Sequence, residues 1–220
     1  HSILAVHFPA DQRSTAMSLY VLGAPAGAML AGIVGGWGSE HLGWRGTLML
    51  ASVPGLVLAP VMFLTLRQPR DEAAAAKFRR SVPPLMHTIP WLASLPSFRH
   101  LCMACALHAL AMYSSQSFNP AYLARTHGWS GSSIGTLIAM VGLAGMVGTF
   151  LGGFLSDRLS RRSGDARWQM WVPGIATLAV IPVQLLAYLG AGMPMAVAFL
   201  GSSLLSLVFF GPAFSTVQSL

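Results

Sequence analysis

The stretch Ile134-GTLIAMVGLAGMVGTFLGGF-Leu155 decides the fold. It runs for 22 residues with no charged side chain, then turns at once to Ser156-Asp157-Arg158-Leu159-Ser160-Arg161-Arg162. About 20 consecutive apolar residues are what a helix needs to cross a bilayer. A strand reading fails, because the run is continuous where a membrane barrel strand would alternate polar and apolar residues.

Five more stretches have the same character. They cover about Thr15–Gly36, Gly46–Leu66, Leu101–Leu123, Met170–Leu189 and Met193–Gln218. The expected fold class is therefore an all-α, polytopic membrane protein with six transmembrane helices. Prolines recur inside the runs (Pro25, Pro54, Pro60, Pro173, Pro182, Pro212). Membrane helices tolerate them because neighbours re-satisfy the freed carbonyls. Composition agrees: 54% of the residues are hydrophobic and only 9% charged, against about 25% charged in a soluble domain. The mean hydropathy is +0.62. The chain starts and stops within apolar runs and has no initiator Met, which reads as a fragment.

The net charge of +7 could suggest nucleic acid. The basic residues instead sit in short gaps between the runs. Alternate gaps collect 11 of the 13 Lys and Arg residues, and the others hold only Arg45 and Arg125. Cytoplasmic loops carry such an excess. The expected location is thus a cell (inner or plasma) membrane, with segment 67–99 and loop 156–168 cytoplasmic. Segment 67–99, rich in proline and basic residues, reads as a linker. It separates residues 1–66, the end of one helix bundle, from residues 100–220, part of a second. The lipid bilayer and a small-molecule substrate are the expected partners, and nucleic acid is not.

Cys102 and Cys105 form a C-x-x-C inside an apolar run, away from the strand–helix setting of a redox motif or the further ligands of a zinc site. They read as small helix residues. No metal, cofactor or catalytic residue is expected. Gly23, Gly27, Ala31 and Gly35 fall four apart on one helix face, as do Gly145, Gly148 and Gly152 nearly so, a pattern that permits close helix contact. A substrate path lined by backbone is the alternative reading.

The third run carries a polar stripe: His108, Met112, Ser115, Gln116 and Asn119 recur at helical spacing, with Tyr113 beside them. Unpaired polar groups in hydrocarbon are costly, so the stripe should face a cavity or partner side chains. Intramembrane polar groups are functional candidates by default, which makes His108, Tyr113, Gln116 and Asn119 the substrate-binding candidates. His108 could also carry a proton. None of the six runs holds Asp or Glu. A coupling proton or sodium ion would then use His108 or a carboxylate outside this sequence. A channel or structural membrane protein, or a membrane-embedded haem or redox protein, would share the composition. His87, His100 and His108, however, have no matching histidine-bearing run at equal depth.

The segment Gly153-x-x-x-Asp157-Arg158-x-Ser160-Arg161-Arg162 resembles the signature loop of the major facilitator superfamily, departing at Ser160, where glycine is typical. Phe8 to Ala16 resembles that family's loop between helices four and five, Gly43-Trp44-Arg45 its turn between five and six, and Leu66 to Arg70 the end of helix six. The resemblance implies family helices five to ten plus the tail of helix four, out of twelve. It also implies a secondary transporter working by alternating access, moving a small organic solute, with Gly153, Asp157, Arg158, Arg161 and Arg162 as a gating loop. Asp157 would then approach the start of the first run, near Ser14 and Thr15. Leu95 to His100, Phe118 to Arg125 and Asp165 to Trp168 resemble the spinster-like subgroup, which implies lipid-like or organic-anion substrates.

Overall fold

The computed structural model describes residues 13–65 and 85–217. The likeness at Leu66–Arg70, the part of that at Phe8–Ala16 running from Phe8 to Gln12, and Gln218 lie outside these residues. Every element described is a helix: α1 (Arg13–Val21), α2 (Gly23–His41), α3 (Gly43–Thr65), α4 (Leu85–Ser94), α5 (Pro96–His127), α6 (Gly131–Ser163), α7 (Trp168–Leu189), α8 (Gly192–Leu207) and α9 (Phe210–Val217).

The pairs α1–α2 and α8–α9 each form one crossing, so the first and last apolar runs are interrupted helices. Proline causes both breaks. Pro25 and Pro212 have no N–H for the carbonyls of Val21 and Val208. The ladder resumes around them, through Ala26 N–H to Leu22 O at 3.1 Å and Ala213 N–H to Phe209 O at 3.1 Å. The connections are short. Gly43 (φ +65°) and Gly164 (φ +69°) take the left-handed conformation that ends a helix, and at Gly43 the next helix begins at once.

By length and apolarity five of the expected crossings qualify: 15–41, 43–65, 131–163, 168–189 and 192–216. The 32-residue α5 is long enough but too polar over its middle, because it carries His108, Ser114, Ser115, Gln116, Ser117 and Asn119. Two boundaries also differ from expectation. The latter part of segment 67–99 is helical, as α4 and the start of α5. The signature segment Gly153–Arg162 lies wholly inside α6, which runs on to Ser163 and leaves only Gly164–Arg167 as a connection.

At the centre lies α6, packed on α2, α8, α1, α7 and α9. Eleven of its residues are buried, and six of those are glycine: Gly135, Gly142, Gly145, Gly148, Gly152 and Gly153. Lipid removes the hydrophobic incentive for helices to associate, so close backbone packing has to supply it. The glycines divide between two faces. A Cβ on Gly135 would meet Gly32 O at 2.5 Å, and one on Gly142 would meet Met29 N at 2.8 Å. On the other face, a Cβ on Gly148 would meet Leu204 O at 2.0 Å and one on Gly152 would meet Val208 O at 2.3 Å.

The expected contact face of α2 needs correction. Gly23, Gly27 and Gly35 have open space beside them, whereas Gly32 and Gly36 touch α6. A four-residue spacing recurs on several faces of a glycine-rich helix, and only the partner's position selects among them. The α3 helix lies at the periphery with no buried residue. Its apolar surface is of the kind that lipid covers.

Candidate functional site

Between α5 and α9 lies a cavity of about 160 Å³, lined by Cys105, His108, Ala109, Met112 and Tyr113 and by Phe209, Phe210, Ala213 and Phe214. Helical spacing puts the α5 residues on one face. The break before Phe210 turns two successive aromatic rings toward them. His108 stacks on Phe209 with ring centroids 4.2 Å apart and 18° between planes, and meets Phe210 edge-on at 6.0 Å. Nε2 is buried and has no hydrogen-bond partner among the described residues. A ring nitrogen in that position can donate or accept a hydrogen bond according to its tautomer.

Of the four substrate-binding candidates, the cavity gathers His108 and Tyr113. Gln116 is exposed and outside the lining. Asn119 belongs to a different cluster. Its Oδ1 accepts from the Tyr188 hydroxyl at 2.7 Å, Tyr122 OH donates to Tyr188 O at 2.9 Å, and His127 Nε2 lies 3.1 Å from Tyr122 OH. This cluster ties the end of α5 to the end of α7. Phe209, Phe210 and Phe214 escaped the sequence reading. The signal was a Phe-Phe-Gly-Pro run interrupting an apolar helix, the sort of break that marks binding sites in transporters.

The second constellation is built on Asp157, which is wholly buried. Its Oδ2 accepts from Thr15 N–H at 2.7 Å and from Thr15 Oγ1 at 2.6 Å. Thr15 stands in the first turn of α1, where backbone N–H groups have no partner inside the helix. A carboxylate there satisfies a donor and meets the positive end of the helix dipole. Ser18 and Ser156 are buried as well. Gly153, one turn before Asp157, is buried, while Arg158, Arg161 and Arg162 face outward. The Arg158 guanidinium lies over the Phe154 ring at 5.8 Å. Among the described residues no group of three or more His, Cys, Asp or Glu could hold a metal ion.

The whole chain, residues 1–220, matches the family model described as Major Facilitator Superfamily. An MFS-type efflux pump of Mycolicibacterium smegmatis is 28% identical over the full chain and 51% of its own length. Protein spinster homolog 1 of Homo sapiens is 30% identical over 72% of this chain and 33% of its own length. A gallate transporter of Pseudomonas putida is 26% identical over 71% of this chain and 41% of its own length. The chain thus spans about half or less of the length of these relatives. No solved structure matches.

Proposed function

Because this chain belongs to the major facilitator superfamily, we propose that it is the central part of a secondary transporter. It moves a small organic solute by alternating access, with the α5–α9 slot holding the solute. Residues 13–65 belong to one rocking bundle and residues 100–217 to the other. The Asp157 end faces the cytoplasm, as the Lys and Arg distribution indicates.

The observation that carries this reading is the slot itself. Three phenylalanines, a tyrosine and a histidine line it, with no Lys or Arg among the lining residues. Aromatic rings attract a flat partner by offset or edge-on stacking. The buried, unpartnered Nε2 of His108 can pair with a hydroxyl, which donates or accepts according to the tautomer. A planar solute carrying a hydroxyl fits both demands, and the relative described as a gallate transporter suggests one such compound. The likenesses to a spinster homologue and an efflux pump are compatible with an apolar solute in the same slot. An anionic group on the solute would need its counter-charge outside this lining.

Asp157 serves as the cytoplasmic latch in this scheme. Closing that end seats the carboxylate on the first turn of α1, and opening it breaks two charge-assisted hydrogen bonds.

The test is counterflow in proteoliposomes containing the full-length protein, with gallate and with quinate, whose ring is saturated. Gallate flux should saturate, respond to preloading and exceed quinate flux. His108→Ala and Phe209→Ala should each raise the KM for gallate several-fold. Flux that rises linearly with concentration and ignores preloading would identify a channel. Equal handling of the two compounds, or an unchanged KM in both variants, would remove the slot from the transport path.

A further inference from the structure

The crossing α1–α2 and the helix α6 run antiparallel along their whole length. Met29 faces Gly142, Gly32 faces Ala139 and Gly36 faces Gly135. One end of this pair holds the Asp157–Thr15 contact. The other end holds its mirror image. Glu40, in the last turn of α2, accepts from the Ser132 backbone N–H of α6 through Oε1 at 2.7 Å. Ser132 is in the first turn of α6, where Ser130 Oγ already accepts from Ser133 N–H at 3.2 Å. The two acceptors together satisfy two of the helix's orphan donors. Gly131 keeps the approach open, since a Cβ there would lie 3.0 Å from Ser39 Oγ and 3.5 Å from Glu40 Oε1.

Glu40 thus sits in the last turn of its own helix, where the dipole disfavours negative charge, and Asp157 lies within two turns of the end of α6. Local helix electrostatics explain neither position. Both follow from the partner helix, whose N-terminus each carboxylate reaches. The two ends also differ in depth: Asp157 is buried, whereas Glu40 is exposed. Water competes for Glu40 and not for Asp157.

We propose that Glu40 is a positioning residue that closes the end of the bundle opposite Asp157, so that each access state breaks one carboxylate contact and keeps the other. This rests on the alternating-access reading above. Glu40, facing water, is the more readily released of the two, so its end opens first when no solute is bound.

Distance measurements between spin labels test the idea on the full-length protein in nanodiscs, with Cys102 and Cys105 replaced by serine. One label pair, Leu42→Cys with Ser133→Cys, reports the Glu40 end. A second, Leu19→Cys with Ser163→Cys, reports the Asp157 end. Glu40→Ala should raise the ratio of long to short distances at its own end about tenfold and leave the other end short. Asp157→Ala should do the reverse, and the double variant should return toward the wild-type balance. Glu40→Gln, which keeps an acceptor oxygen without the charge, should fall between. An unchanged Glu40 end in Glu40→Ala overturns the proposal. So does lengthening at both ends at once, which would mean that Glu40 only holds the fold together. If Asp157→Ala moves its end while Glu40→Ala moves nothing, Glu40 alone is misassigned. A single fixed distance at both ends in every variant would reject alternating access itself.

Discussion

Gly148→Ala puts the heaviest load on the α6–α8 contact. The added Cβ would stand 2.0 Å from Leu204 O, 2.7 Å from its carbonyl carbon and 2.9 Å from its Cα. All three are backbone atoms, so no side chain can swing away. Real Cβ atoms essentially never approach closer than 3.0 Å, and α8 must back off by roughly 1 Å. A gap of that size forfeits about a quarter to a half of the dispersion energy at each contact it opens. Overpacking of this kind costs about 1–3 kcal/mol. Part is returned by the better helix propensity of alanine, about 1 kcal/mol on soluble scales. Gly174→Ala is the reference, because Gly174 has nothing within 4 Å. The assay is thermal unfolding of the full-length protein in detergent, followed by cysteine-reactive dye or circular dichroism. Gly148→Ala should melt several degrees below Gly174→Ala, which should match or exceed wild type. It should also weaken transport, because α8 leads directly into Phe209 and Phe210. Equal melting temperatures for the two variants would refute the claim that backbone contact at Gly148 holds α8 to α6.

Asp157→Asn keeps an acceptor oxygen but loses the charge. It should slow transport several-fold while the amount inserted in the membrane, read by immunoblot, stays at wild type. An unchanged rate would count against the latch. Thr15→Val removes one of the two donors and leaves the backbone N–H, so its effect should be the smaller of the two. Tyr188→Phe deletes the hydrogen bond to Asn119, with an expected stability loss of about 1 kcal/mol. Its KM should be unchanged, and a changed KM would bring Asn119 into the substrate path. An impermeant thiol reagent added outside cells should leave a cysteine placed at Arg162 unlabelled, and ready labelling would reverse the topology.

Much of the site could be read from residue order because its parts are local. His108 and Met112 belong to one stripe on one helix with Tyr113 beside it, and helical periodicity alone puts Cys105 close to that face. Asp157 was singled out by the resemblance of Gly153–Arg162 to a family signature loop, and the approach to Ser14 and Thr15 which that resemblance implied corresponds to the two hydrogen bonds at Thr15. The aromatic wall was illegible for a different reason. Phe209 and Phe210 look like any other apolar residues of a membrane helix. Only the break at Pro212 and the seating of α8–α9 against α6 turn them toward His108. Glu40 was equally mute: a carboxylate just outside an apolar run reads as an ordinary loop charge until the far helix's first turn is placed beside it.

Residue order by itself determined the helical membrane class, the approximate position of five of the six expected crossings, their orientation signal and the family. Burial in lipid depends on the length of an apolar run, and sidedness depends on where the arginines fall. Both are sums along the chain. The tertiary structure decided which glycines touch, which polar residues share the cavity and what each carboxylate caps. Those are distances between helices far apart in sequence. In a bilayer every face of an apolar helix is acceptable to the solvent. Hydrophobicity therefore ranks no face above another, and only fitted contact between backbones selects the partner.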